Sequence, residues 1–275
     1  MPDRAKRRTL QSPQKPRVVR SAMMHDNSTG LWTSRRSLFR SPGVVTTVFL
    51  HIPKTGGTSL VSCLRQNALG RWRVRLNGPS DLHLLDAITP RRWRDVGLIE
   101  GHVSWDVLEQ IPPPRHVVTM LRDPIERVLS FYSYVRGKED HHLREFHAGI
   151  VPPLREFLTL ESSSEADNWM VRQIAGGDGP GAPVGGVTEA MFARAIEHLD
   201  SCVAIGVMER FDRSLAAIGA ALGWKRWASP RLNITPDRVR RETLDDATMK
   251  VLRERTEFDR RLYEHAVSRL NRSGS

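Results

Sequence analysis

The segment "VFLHIPKTGGTSL", Val48 to Leu60, limits how this chain can fold more than any other. The apolar run "VVTTVFLHI" (44–52) is β-branched and uninterrupted by charge, the pattern of a parallel strand buried on both faces. Pro53 ends it. Gly56 and Gly57 let the backbone turn tightly and come close to a ligand. Thr58 and Ser59 then open a helix predicted over 58–69. A helix N-terminus presents unpaired N–H groups and the positive end of its dipole, so this loop is an anion site. The residue order is unusual for one. The Walker pattern for nucleoside triphosphates puts its lysine after the second glycine. Here Lys54, followed by Thr55, precedes both glycines and reaches a bound anion from the entry side.

The rest of the chain supplies the sheet that such a loop needs. "RWRVRL" (71–76) alternates, with Arg71, Arg73 and Arg75 on one face and Trp72, Val74 and Leu76 on the other. "VGLIEGHV" (96–103), "RHVVTML" (115–121) and "CVAIGVM" (202–208) read as three further strands. Helices are predicted between them, at 82–87, 152–160, 165–175 and 188–199, and from the last strand to about Leu222. "DPIERVLSFYSYVRG" carries its own start and stop: Asp123 at the N-cap, Pro124 at N1, Glu126 at N3, Gly137 at the end. One long amphipathic helix is predicted from Glu242 to Leu270, and "GGDGPGAPVGG" (176–186) reads as a surface loop. Strands separated by helices imply an α/β fold, a P-loop NTPase-like parallel sheet flanked by helices in a single domain.

In an open parallel sheet, ligands bind outside the carboxyl ends of the strands. The first strand ends at His51 and the PKTGGT loop, the third at Glu100-Gly101-His102, the fourth at Arg122-Asp123. All three exits are expected on one edge. His102 is the candidate general base, because an imidazole titrates near neutral pH. His51 is read as structural, facing the other side of its strand. Glu100 is open between orienting or charging His102 and plain exposure.

Charge narrows the partners. The chain carries a net +11, but residues 1–42 hold ten Lys/Arg against two Asp/Glu, a net +8, which leaves +3 for the remainder. The excess therefore sits in a Pro-, Ser-, Gln- and Arg-rich stretch without apolar period, expected to be a disordered basic tail. A basic arm for RNA or membrane, or a true start at Met23 or Met24, are the alternative readings. A core at +3 is no platform for a polyanion, so no nucleic acid is expected. No apolar run approaches the ~20 residues of a membrane span, and no signal-peptide core follows the basic N-terminus. Cys63 and Cys202 are expected to be reduced thiols, and the location cytoplasmic.

"HIPKTGGTSL" resembles the 5′-phosphosulfate loop of the sulfotransferases typified by heparan sulfate 2-O-sulfotransferase, and "RDPIERVLSFYSYVR" (122–136) resembles their 3′-phosphate motif. "EGHV" (100–103) is similar to their catalytic histidine segment, with Glu100 where typical members carry a second histidine. "DNWMVRQIAG", "GVMERFDRSL", "LNITPDR" and "DRRLYEHA" look like later blocks, so the likeness runs over about 45–268. It implies a sulfotransferase domain over 43–275 that uses 3′-phosphoadenosine-5′-phosphosulfate (PAPS) without a metal. It implies donor contacts from Lys54, Thr55, Gly56, Gly57, Thr58, Ser59, Arg122 and Ser130, and catalytic roles for His102 and Lys54. It also implies a hydroxyl-bearing acceptor, with a carbohydrate or glycolipid the first guess. The rival readings are an ATP-dependent phosphotransferase, disfavoured by the missing Gly-Lys-[Ser/Thr] order, and a catalytically inactive PAPS, nucleotide or nucleic-acid binder.

Weaker features stay open. His141, His142 and His147 lack the cysteine or carboxylate spacing of a zinc site and read as a solvated loop. Arg71, Arg73 and Arg75 line either an acceptor groove or an exposed strand face. Arg172 reaches substrate or donor, or is a surface helix residue. Asn233 and Thr235 border the donor on resemblance alone.

Overall fold

The computed structural model describes residues 31–33, 45–68, 70–139, 141, 143, 149–225 and 239–272, the first three as backbone only. Six strands form one sheet: β1 (Leu31–Thr33), β2 (Thr46–Leu50), β3 (Trp72–Leu76), β4 (Val96–Gly101), β5 (Arg115–Leu121) and β6 (Ala204–Val207). Their order is β1-β3-β4-β2-β5-β6. The last five in that order run parallel, and β1 pairs antiparallel to β3 through Leu31↔Val74 and Thr33↔Trp72. The expected α/β fold with a parallel sheet flanked by helices is therefore what the chain adopts. The edge strand β1 lies inside the 1–42 segment expected to be a disordered tail, so that expectation fails at 31–33; the rest of 1–42 lies outside the described residues. The unpaired edge of β3 gives three residues a hydrogen-bonding template that their own composition does not advertise.

The helices are α1 (Gly57–Asn67), α2 (His83–Asp86), α3 (Pro124–Gly137), α4 (Leu154–Phe157), α5 (Trp169–Ala175), α6 (Glu189–Ser201), α7 (Phe211–Ala221), α8 (Asp246–Arg255) and α9 (Glu257–Arg272). Strand alternation sorts them onto two faces. Phe49, Leu98, Val118 and Met120 pack with Leu60 and Leu64 of α1 and Leu215 and Ile218 of α7. Val48, Leu50, Ile99 and Leu121 pack with Val171 and Ile174 of α5, Leu199 of α6 and Leu262 of α9. At roughly 1.5–3 kcal/mol for each large apolar side chain buried, these two layers dominate the stabilisation. A third cluster joins Val128 and Phe131 of α3 to Phe157 and Leu252.

The single helix predicted over Glu242–Leu270 is two helices that meet at Thr256 (φ −123°, ψ 17°). The break has a visible cause. The Arg255 carbonyl accepts from Asn168 N at 2.9 Å, and the carboxylate of Asp259 accepts from Val171 N at 2.8 Å and Met170 N at 3.2 Å. The C-terminal helices thus bend to cap α5. No helix among the described residues is long and apolar enough to cross a membrane.

Candidate active site

The chain leaves β2 toward β3 on one side of the sheet and leaves β5 toward β6 on the other. The crevice between the ends of β2 and β5 is therefore the switch point where a ligand fits. Arg122, just past β5, spans it: Nη1 donates to the Lys54 carbonyl at 3.1 Å. Below that bridge, Thr119 Oγ1 donates to the Leu50 carbonyl at 2.9 Å. The loop is held from both strands.

Inside the loop, Lys54 adopts φ 71° and Gly56 φ 81°, the left-handed region that a lysine rarely takes. Thr55 is fully buried, with its hydroxyl donating to the Ile52 carbonyl at 2.8 Å. What Thr55 can offer a ligand is its backbone amide rather than the hydroxyl. Gly56 caps α1 and Gly57 is its first residue; no acidic side chain stands in that first turn. Thr58 is exposed and Ser59 buried. Lys54 Nζ lies 4.3 Å from the centre of the Tyr134 ring on α3, a cation held against a half-open aromatic face.

The histidines are brought together. In the parallel register Leu50 stands opposite Gly101, so His51 and His102 are the next pair along. Their ring centres lie 4.3 Å apart, and His51 also stacks on Phe49 at 5.2 Å. His51 therefore does not face away from the site, as the sequence reading had it. Its ring covers Gly57 so closely that a β-carbon there would sit 2.0 Å from Nε2. His51 thus links the N-terminus of α1 to His102 directly.

His102 Nδ1 lies 2.9 Å from the His51 carbonyl oxygen. A carbonyl only accepts, so Nδ1 carries the proton and the neutral ring keeps its lone pair on Nε2. Nε2 has no hydrogen-bond partner among the described residues. Burial lowers the pKa of His102; the bond to the His51 carbonyl opposes that, and Arg75 and Lys54 add to the lowering. His51 is held well below its ordinary value by burial, then by His102, Arg75 and Lys54. Both rings are neutral at neutral pH, the state a base needs.

Glu100 is buried and ion-paired to Arg65 of α1, whose Nε donates to Oε1 at 2.9 Å. Plain exposure is thereby excluded. Burial nevertheless raises its pKa, with Arg65, Arg75 and Arg73 working the other way. Arg122 sits among carboxylates, 3.9 Å from Glu126 and 4.0 Å from Glu209, while its buried Nε lacks a hydrogen-bond partner. Asp123 caps α3 by accepting from Glu126 N at 2.9 Å. Ser130, on α3, is buried, and its hydroxyl has no hydrogen-bond partner among the described residues.

Arg172 is neither a substrate contact nor a surface residue: it is fully buried, ion-paired to Asp167, and donates to the carbonyls of Gly179, Ala182 and Pro183. It staples the glycine-rich loop. His141 is buried against Phe131 and Tyr134 rather than solvated; His142 and His147 lie outside the described residues, as do Asn233 and Thr235. Arg75, on β3, is exposed near the histidines, whereas the stem of Arg71, just before β3, packs over Gly97 at the opposite end of the sheet. No group of three or more His, Cys, Asp or Glu among the described residues is arranged to hold a metal.

No protein-family model matches the chain, and no curated protein does. Among solved structures, it is similar to the crystal structure of mouse sulfotransferase SULT7A1 complexed with PAP. That likeness covers 79% of this chain and 65% of that one, at 14% identity and a TM-score of 0.41. This chain thus spans just under two-thirds of that chain's length. A likeness so slight transfers neither fold nor activity.

Proposed function

We propose that this chain is a PAPS-dependent sulfotransferase that acts on a hydroxyl of a carbohydrate or glycolipid, and that residues 43–275 are its sulfotransferase domain. One observation carries the reading: the base and the anion loop are contiguous through His51, whose ring touches both His102 and Gly57. The donor fits what surrounds them. The first turn of α1 and Lys54 suit the phosphosulfate end. Arg122 Nε, buried with no hydrogen bond of its own and only the Glu209 carboxylate at 4.0 Å, and the Ser130 hydroxyl suit a second phosphate.

The donor supplies a sulfuryl group on a phosphate, already activated for transfer. The chain supplies the rest. His102 Nε2 takes the acceptor's proton as the acceptor oxygen bonds to sulfur, and Nδ1–H keeps the resulting imidazolium bonded to His51. Lys54, lifted from the Tyr134 face, meets the negative charge that appears on the departing phosphate oxygen. The α1 N-terminus would offer its backbone amides to the sulfuryl oxygens. A donor aimed at developing charge in a site without bulk water is typically worth about 3–4 kcal/mol.

The test is a transfer screen with radiolabelled PAPS over a library of glycans and glycolipids. Label appearing in an acceptor supports the reading. Release of label from ATP but not from PAPS overturns it in favour of phosphoryl transfer.

A further inference from the structure

Gln173 lies on α5, a helix that carries no part of the site described so far. Its side chain is buried and reaches across to the strand exits. Nε2 donates to the Val103 carbonyl at 2.8 Å and to the His51 carbonyl at 3.2 Å. The second of these is the oxygen that accepts from His102 Nδ1. One amide nitrogen therefore pins the peptide that orients the candidate base, and pins the residue following that base as well. The amide orientation is not ambiguous, because the reverse would aim Oε1 at two carbonyl oxygens.

Oε1 itself is buried without a hydrogen-bond partner. Such an orphan is costly, and a methionine of similar shape would remove it. Packing alone therefore favours an apolar residue at this position. What the glutamine has that methionine lacks is the donor nitrogen.

We propose that Gln173 is a positioning residue for His102: by holding the His51 and Val103 carbonyls it keeps the His102 ring in the Nδ1–H form, with the Nε2 lone pair free. The role in turnover rests on the sulfotransferase reading above; the tautomer claim does not. Without the amide, the His51 peptide is anchored from one side only, and its bond to Nδ1–H competes with rotation of the ring. The Nε2–H form, useless as a base at that atom, then gains population.

The experiment measures ring-nitrogen shifts of the full chain labelled with ¹⁵N-histidine, His102 being assigned by its loss in His102→Gln. It needs neither donor nor acceptor. The native chain should give the Nδ1–H pattern. Gln173→Met and Gln173→Glu should each give a mixture with Nε2–H, while adenosine 3′,5′-bisphosphate still binds with native affinity. Where an acceptor is found, turnover should fall by about tenfold, part of the ~10²–10⁴ that a general base contributes. The Nδ1–H pattern persisting unchanged in both variants overturns the proposal. So does failure of both to fold, which would make Gln173 purely structural. A native chain that never transfers sulfuryl sinks the proposed function alone, since the tautomer result is read independently.

Discussion

His102 and His51 are joined twice, by a 2.9 Å bond from Nδ1 to the His51 carbonyl and by ring contact at 4.3 Å. The first fixes which nitrogen carries the lone pair. The second shields the ring from water. Together they leave His102 a neutral ring with one lone pair to offer, at Nε2, which is what the proposed base requires.

This sets the pH dependence. An ordinary histidine titrates near 6.5, and burial moves His102 below that. The acid limb of kcat/KM should therefore fall below pH ~6.5, leaving turnover flat through neutrality. Stability has the same sign. The unfolded rings bind protons near 6.5 while the folded ones resist, so stability is fully present above that value and is lost as pH falls from there toward the depressed folded pKa. Denaturant melts from pH 8 to 5 should give a shallower loss in His102→Gln than in the native chain. An identical slope would mean that His102 is not held neutral.

Gly57 should tolerate no side chain. The clash with His51 is against a ring held between Phe49 and His102, not against a free end. Gly57→Ala should cost about 1–3 kcal/mol, the usual range for overpacking. His51→Ala in the same chain should restore part of it, a coupling that a double-mutant cycle reads directly. Additive effects would remove His51 from the loop.

Arg172 should matter to folding and not to ligands. Removing it leaves the buried Asp167 with only the more distant Arg255, 3.8 Å away, to offset its charge, a loss of up to about 3–5 kcal/mol for a pair this enclosed. Arg172→Lys should recover little, because one ammonium does not span the carboxylate and the three loop carbonyls. Bisphosphate affinity of whatever folds should be native. A selective affinity loss at native melting temperature would return Arg172 to the site.

Much of this was legible in the sequence, and the reasons are specific. The β5 limits, 115–121, match the apolar run because that strand is buried along most of its length. The three polar strand exits met on one edge because the sheet is parallel. The position of His51 was legible too, had the register been counted: it stands one residue past β2 as His102 stands one past β4, on adjacent parallel strands. Arg172 and Gln173 were not. Gln173 fills backbone acceptors 122 and 70 residues away, and Arg172 fills those of the irregular loop that follows its own helix; neither kind of partner leaves a periodic trace in the sequence. The break at Thr256 was hidden for the same reason, since its cause lies about 90 residues away at Asn168.

Donor choice tests the far end of the site. If Arg122 and Ser130 receive the 3′-phosphate, adenosine 5′-phosphosulfate, which lacks it, should bind at least about tenfold more weakly than PAPS, as losing a charge-assisted bond of ~1.5–3 kcal/mol requires. Arg122→Ala should erase most of that difference. Equal affinity of the native chain for both donors would mean that Glu126 and Glu209 are the only anions Arg122 serves.

The most direct measurement compares His102→Ala with the native chain, by bisphosphate titration and by turnover of labelled PAPS with a competent acceptor. Lys54 and the α1 N-terminus lie on another strand exit, so donor affinity and melting temperature should stay native. Turnover should fall by about 10²–10⁴-fold, the range of a lost general base. Near-native turnover would contradict the account and put the base elsewhere, with Glu100 the first residue to replace. Loss of folding would contradict it differently, by making His102 a core residue.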